Sequence, residues 1–530
     1  MKTEIINSRR NFLKKIGLGT AYLAVSSIPG QKMVFGDQAK QKKPNIILIM
    51  ADDMGYTDLG CYGGEINTPN IDKLAGEGIR LTQFYNAAKC NPTRASILTG
   101  LYHHQSTVRL EKCITIAEAM KPAGYATLMT GKWHLVGNPV ERGFDKFFGF
   151  LGAAMNFFGD SGANNKMRLG SEVYEIPKTG FYTTNAFTDY AIKFMEETVK
   201  DEKPFFLHVA HNAPHFPLQA LPEDIEKYRG KFMKGWDHLR QQRYKRAVKA
   251  GVIKDNWDIS PRDSDVPAWD SLDEKTKKDE DLKMAVYAAM IDCMDRNIGR
   301  LLASLEKLGQ KENTLVIFLS DNGGCPYDYN RNLDIAPGPK ESYRTYDTPW
   351  ANVSNTPFRL YKRYSHEGGI STPFIASWPA VIKNVGTITE QTGHIIDIMA
   401  TCVDVGGAKY PTEYGGHEVS PLVGKSLLPI FEGKKREGHT EGIYWNYRNH
   451  RAVRMGKWKL LAIGEQEVWE LFDMEADRTE MHNLAEEMPE KVKQMEEKYN
   501  AWVKLYNVST KTTTKTDKTK RKKKKEKTQG

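Results

Sequence analysis

Pro44-Asn45-Ile46-Ile47-Leu48-Ile49-Met50, followed at once by Ala51-Asp52-Asp53, is an apolar run too short for a helix and closed by two acids. An uninterrupted aliphatic stretch of this length reads as a strand buried on both faces, in the middle of a sheet. Two more runs have the same character, Pro204-Phe205-Phe206-Leu207-His208-Val209-Ala210 and Thr314-Leu315-Val316-Ile317-Phe318-Leu319-Ser320, and each gives way to polar residues. Helical patterns lie between them, for example Asp281 to Leu305. Strands alternating with helices predict an α/β fold built on a mostly parallel central sheet. Ligands of such sheets collect beyond the carboxyl ends of the strands, and Asp52-Asp53, His211 to His215 and Asp321-Asn322 all fall there.

Outward from this core the composition changes. From about Ser420, short alternating runs separated by turns (442–447, 451–454, 457–461, 467–473) precede a helical stretch from Pro489 to Tyr506, predicting a smaller C-terminal domain with an antiparallel sheet and a helix. The expected organisation is a leader over 1–43, a catalytic domain over 44–419, the C-terminal unit over 420–508 and a disordered Lys-rich tail over 509–530. The charged, Trp-bearing segment from Lys227 to Lys278 has no strong period and is expected to lie over or beside the site.

The formal charge of +10 sits at the ends: residues 511–530 carry +8 and residues 1–43 carry +7, so the body carries −5. That balance argues against a nucleic-acid surface. Ser8-Arg9-Arg10-Asn11-Phe12-Leu13-Lys14-Lys15, ahead of an apolar run from Ile16 to Ile28, reads as a twin-arginine export signal. The expected location is therefore periplasmic or extracellular, reached through the twin-arginine machinery, which moves folded protein. The six cysteines show no CxxC and no zinc-ligand spacing, and the sequence leaves open which are paired.

Asp52, Asp53, Asp321 and Asn322 are hard oxygen donors on two strand ends, a set that suits Ca²⁺, with Mg²⁺ the second choice. An isolated Asp pair is more often a helix cap; its pairing with Asp321-Asn322-Gly323-Gly324 after a second buried strand reverses that reading. Cys90-Asn91-Pro92-Thr93-Arg94 sets a Cys, a Pro, a hydroxyl and an Arg in a five-residue frame. A Cys so placed is otherwise a small buried hydrophobe.

These motifs, with Gly131-Lys132-Trp133-His134, Asn212-Ala213-Pro214-His215-Phe216-Pro217 and Lys362 five residues before Glu367-Gly368-Gly369, resemble the type I sulfatases from Asn45 to about Leu484. Within that family the chain looks most similar to bacterial arylsulfatases, judged by Phe84 to Lys89, Ala351 to Gly369, Arg451-Ala452-Val453-Arg454 and Lys457-Trp458-Lys459. The resemblance implies an alkaline-phosphatase-like α/β/α sandwich, a bound Ca²⁺, and hydrolysis of aryl or carbohydrate sulfate esters. It further implies that a formylglycine-generating or anaerobic sulfatase-maturating enzyme converts Cys90 to Cα-formylglycine, whose hydrate attacks sulfur and contributes an oxygen to the metal. Arg94, Lys132 and Lys362 would then face the sulfate as fixed cations; His215, with Lys362, would protonate the leaving alcohol, and His134 would take the proton of the second hydroxyl. Thr93 stands where many members have Ser.

A phosphonate monoester hydrolase or phosphodiesterase of the same fold, or a catalytically silent binder of sulfated glycan, would share many of these residues. A phosphatase would favour a second metal with more His and Asp ligands, and no second set is visible in the sequence. His103, His104, His208, His211 and His366 remain weaker candidates for the substrate's surroundings, and Trp269 and Trp350 read as core.

Overall fold

The computed structural model describes residues 42–159, 165–448, 450–464 and 468–508. The export signal and the Lys-rich tail lie outside the described residues. Asn45–Ala51 is a strand with every residue buried, and its alternation explains the layers. Ile47, Ile49 and Ala51 enter one apolar cluster, while Ile46, Leu48 and Met50 enter another on the opposite face. A strand buried on both faces is the signature of a sheet covered by helices on both sides. The Thr183–Lys200 and Glu274–Lys307 helices put Phe187, Phe194, Met290 and Ile298 into the first cluster. The Cys90–Thr99 and Asp397–Val405 helices put Ile97, Leu98, Ile398 and Met399 into the second.

Across the sheet, the main strands run in the order Ile79–Tyr85, Ser371–Ser377, Thr314–Ser320, Asn45–Ala51, Phe205–Ala210, Ala126–Lys132 and Lys146–Phe150, with short strands at both edges. The five from Thr314–Ser320 to Lys146–Phe150 are mutually parallel. Ser371–Ser377 is antiparallel to both neighbours. Register pairs Ala51 with Ser320 and Met50 with Ala210, which brings Asp52, Asp321 and His211 to one edge of the sheet. This is the expected α/β/α architecture.

A second sheet of four antiparallel strands, Ile443–Tyr447, His450–Met455, Trp458–Ala462 and Glu470–Asp473, is followed by the Pro489–Leu505 helix. It belongs to one compact unit running from Lys43 onward. A buried ion cluster ties it to the main sheet: Lys459 Nζ donates to Glu367 Oε1 at 2.8 Å and to Glu480 Oε1 at 2.6 Å, and Arg478 Nε donates to Glu367 Oε2 at 2.9 Å. Arg454 reaches across to Tyr85 and Gln83. Glu367, Arg454 and Lys459, which help to carry the family resemblance, are thus structural.

The 227–278 segment departs from expectation. Its Gly235–Lys249 helix buries Trp236, which meets Trp269 and Trp350 edge-on at 4.7 and 5.6 Å. Arg243 is fully buried and donates to Asp58 Oδ1 at 2.6 Å and to Glu65 Oε1 at 2.6 Å. The segment therefore forms part of the core on one face of the sheet, and the cleft that holds Cys90 has none of its residues in its lining. All six cysteines are free, and among the described residues no helix is long and apolar enough to cross a membrane.

Candidate active site

Asp52 and Asp53 leave the end of the first strand, and Asp321 and Asn322 leave the parallel strand beside it. Asp53 turns back at φ 66°, and its backbone N–H donates to Asp321 Oδ1 at 3.2 Å. Cys90 opens the Cys90–Thr99 helix, where the positive end of the helix dipole favours anions. Thr93 locks that helix to the ligand loop: its Oγ1 donates to the Asp321 carbonyl at 2.7 Å and accepts from Ala87 N–H at 3.0 Å. The threonine therefore uses its hydroxyl in both directions. Ligand atoms of Asp52, Cys90 and Asp321 lie within 4.8 Å of one another, as do those of Asp52, Asp53 and His215.

The cations surround this acidic floor. Lys132 Nζ donates to Asp52 Oδ2 at 2.5 Å. Arg94 Nη2 donates to Asp321 Oδ2 at 3.0 Å and lies 3.4 Å from Asp52 Oδ2, while its Nη1 donates to the Lys132 carbonyl at 2.7 Å. Lys362 pairs with Asp53 Oδ1, which also accepts from Asn322 Nδ2 at 2.7 Å. Gly131, just before Lys132, has φ 100°, and a Cβ there would meet the Ala210 carbonyl oxygen at 1.9 Å. Only glycine lets these two strands approach so closely ahead of the lysine. Gly323 is restricted in the same way by the Gly368 carbonyl at 1.9 Å, so the 321–324 and 367–369 glycine pairs pack backbone to backbone.

Burial opposes ionisation of Asp52, but Lys132, His215 and Arg94 outweigh it and hold the carboxyl well below its usual range. Asp53 is lowered as well: burial is overcome chiefly by Lys362. Asp321 goes the other way, pushed up to about 7 by burial and by Asp52. Burial, then Lys132 and Arg94, force His134 far below the ordinary imidazole value, so it is neutral at pH 7. Burial also lowers His215 to about 4. Lys362 is raised well above its usual value because Asp53 more than offsets burial, so it keeps its proton.

Three buried oxygens, Asp52 Oδ1, Asp53 Oδ2 and Asn322 Oδ1, find no hydrogen-bond partner among the described residues. Orphaned hard oxygens on a doubly acidic floor fit a divalent cation. Both candidate ligand groups among the described residues contain Asp52, so they describe one centre.

All ten residues singled out in the sequence meet here, and Cys90, His134, His215 and Lys362 among them line the cleft, whereas none of the weaker histidines does. His208 Nδ1 lies 3.1 Å from the Leu48 carbonyl inside the sheet. His104 packs edge-on against Trp502 at 5.5 Å, and the His103 ring lies tilted at 3.7 Å from that of His104. His366 lies 3.8 Å from Glu470, and His211 is buried behind the strand ends. The cleft, of about 440 Å³, also has lining groups to which the sequence assigned no role: Lys89, Phe216, Tyr327, Tyr329, Arg331, Tyr343 and Tyr447. The signal for four of them was the long, Tyr-rich polar stretch after Asp321-Asn322-Gly323-Gly324, since long loops beyond strand ends are commonly functional.

A family model described as Sulfatase matches residues 44–408, and one described as N-sulphoglucosamine sulphohydrolase, C-terminal, matches residues 358–504. An arylsulfatase of Klebsiella aerogenes is 34% identical over 446 residues, covering 76% of this chain and 95% of its own. An uncharacterized sulfatase of Schizosaccharomyces pombe is 32% identical over 516 residues, covering 86% and 93%. The crystal structure of Ps i-CgsB in complex with k-i-k-neocarrahexaose superposes with a TM-score of 0.66 at 27% identity, over 87% of this chain and 92% of that one. Fold, converged site and likenesses together define a sulfuric ester hydrolase. The chain belongs to the sulfatase family.

Proposed function

We propose that the chain hydrolyses sulfate monoesters of a carbohydrate or an aryl alcohol, with residue 90 matured to Cα-formylglycine and Ca²⁺ held by Asp52, Asp53, Asp321 and Asn322. The observation that carries this reading is the set of three unpartnered buried oxygens beside Cys90 and three fixed cations. When bound, the ion draws charge from the sulfate oxygens, and the hydrated formylglycine provides the hydroxyl that attacks sulfur.

The chain's own residues supply the remainder. Lys132, Arg94 and Lys362 are fixed by carboxylates before substrate arrives, so positive charge faces the transferring group without reorganisation. Lys362 carries a proton at neutral pH and, together with His215, faces the leaving oxygen as a donor. His215 Nδ1 lies 2.6 Å from the Phe216 carbonyl, which leaves Nε2 turned toward the site. Neutral when the cleft is empty, His215 gains proton affinity once an anion lies beside it. His134, kept neutral, is in the form a general base needs.

The arylsulfatase relative supports an aryl ester, and the neighbour bound to a neocarrahexaose supports a carbohydrate one. Maturation by a dedicated enzyme and twin-arginine export to the periplasm belong to the same proposal, on the signal at residues 8–28. The test is turnover of an aryl sulfate against the matched aryl phosphate and phosphonate, on protein converted at residue 90 and supplied with Ca²⁺. Dominant sulfate release is expected; faster cleavage of a phosphorus ester would replace this reading.

A further inference from the structure

Arg331 is an exposed arginine at the mouth of the cleft, and no carboxylate among the described residues pairs with it. Other cations of the same loop are paired, Lys340 with Glu341 at 4.0 Å and Arg344 with Asp279 at 2.7 Å. Nor is Arg331 loosely held. Its backbone N–H donates to the Tyr343 carbonyl at 2.9 Å in an isolated antiparallel bridge, and neighbouring Asn330 Oδ1 accepts from Arg344 Nε at 3.1 Å and from Thr345 N–H at 2.9 Å. Its guanidinium lies 4.5 Å over the Tyr343 ring.

An aromatic wall joins this cation to the reaction centre. His215 stacks on Phe216 at 4.1 Å, and Phe216 meets Tyr343 at 6.2 Å and Tyr329 at 5.6 Å, both edge-on. Arg331 is thus three ring contacts away from His215, too far to serve the scissile sulfate and placed for a group further along the substrate. Among the described residues, no Asp or Glu lines the cleft. Rings that offer a flat apolar face suit the face of a sugar, and a guanidinium held over one of them suits an oxyanion.

We propose that Arg331 binds a second oxyanion of the substrate, so that the preferred ester is a saccharide carrying another sulfate or a carboxylate beyond the sulfate that is hydrolysed. The inference rests on the sulfate-ester reading above and narrows it. Because the loop is pinned before binding, little ordering opposes the contact. Because Arg331 is exposed, the contact weakens as salt rises.

The test is calorimetric binding to full-length Cys90→Ala protein with Ca²⁺ present, using three matched disaccharides: monosulfated, disulfated, and monosulfated with a uronate carboxylate. In Arg331→Gln the affinity ratio of a dianionic over the monosulfated ligand should fall about tenfold, the scale of a charge-assisted hydrogen bond. Arg331→Lys should recover part of it. A response confined to the disulfated or to the uronate ligand supports the site and names its oxyanion. An unchanged ratio, including a uniform loss across all three ligands, overturns the proposal. If converted wild-type enzyme cleaves no sulfate ester, the functional reading fails, while these ratios still decide the role of Arg331.

Discussion

Asp53 and His134 both sit in the left-handed backbone region, at φ 66° and 55°, where residues with a Cβ are strained. Each is held there by the strand end beneath it, the kind of local cost that functional sites retain. Cys90, on the first turn of its helix and lining the cleft, is the residue on which the proposed chemistry depends. Cys90→Ala should lower kcat by at least ~10³-fold while leaving the circular dichroism spectrum and melting temperature unchanged, since it removes the nucleophile alone. Thr93 tests how the helix is anchored. Thr93→Val loses two buried hydrogen bonds and should cost ~1–3 kcal/mol in denaturant unfolding, whereas Thr93→Ser should keep most of that stability. At this scale the meeting of Asp52, Asp53, Asp321 and Asn322 could be read from the sequence, because the ends of neighbouring parallel strands fall at one edge of their sheet. Arg331 could not, because nothing in a Tyr-rich loop says which side chain faces the cleft.

At the scale of elements, the strands were legible because uninterrupted aliphatic runs have one physical solution, and the 443–473 strands because their alternation survives the turns. The Gly235–Lys249 helix was misread as lying near the site for an equally physical reason. Two of its inward positions are Arg240 and Arg243, so its apolar stripe is broken in sequence although Asp58, Glu65 and Ser260 complete it in space. The Glu367 cluster had a similar fate: the sequence showed Glu367 and Lys459 but not that Arg478 and Glu480 join them. Burial opposes ionisation of Glu367, yet Lys459 and Arg478 draw its carboxyl from 4.5 down to about 2. A depressed acid stabilises the fold fully above its unfolded value and loses that contribution as pH falls through its folded one. Stability should therefore drop as pH goes from about 4.5 to about 2, and Glu367→Gln should flatten that acid limb. The same variant should cost ~3–5 kcal/mol at neutral pH in chemical unfolding, because it breaks a buried pair from one side.

For the whole molecule, the sheet gathers Asp52, Asp53 and Asp321, three buried carboxyls, at one edge where their mutual repulsion is offset by three cations. An ion that binds only the folded state adds stability in proportion to the logarithm of its concentration, ~2.7 kcal/mol at a hundredfold excess over Kd. Ca²⁺ should accordingly raise the melting temperature of chelator-treated protein, and Asp53→Ala should lose that response. A melting temperature indifferent to Ca²⁺, Mg²⁺ and chelator would remove the metal from the account. The central claim, that a converted residue 90 carries sulfate-ester hydrolysis, is tested most directly on preparations that differ only in how completely residue 90 has been converted, as read by mass. The aryl sulfate rate should be proportional to the converted fraction and vanish where residue 90 is entirely Cys; an undiminished rate in the unconverted protein would contradict that role.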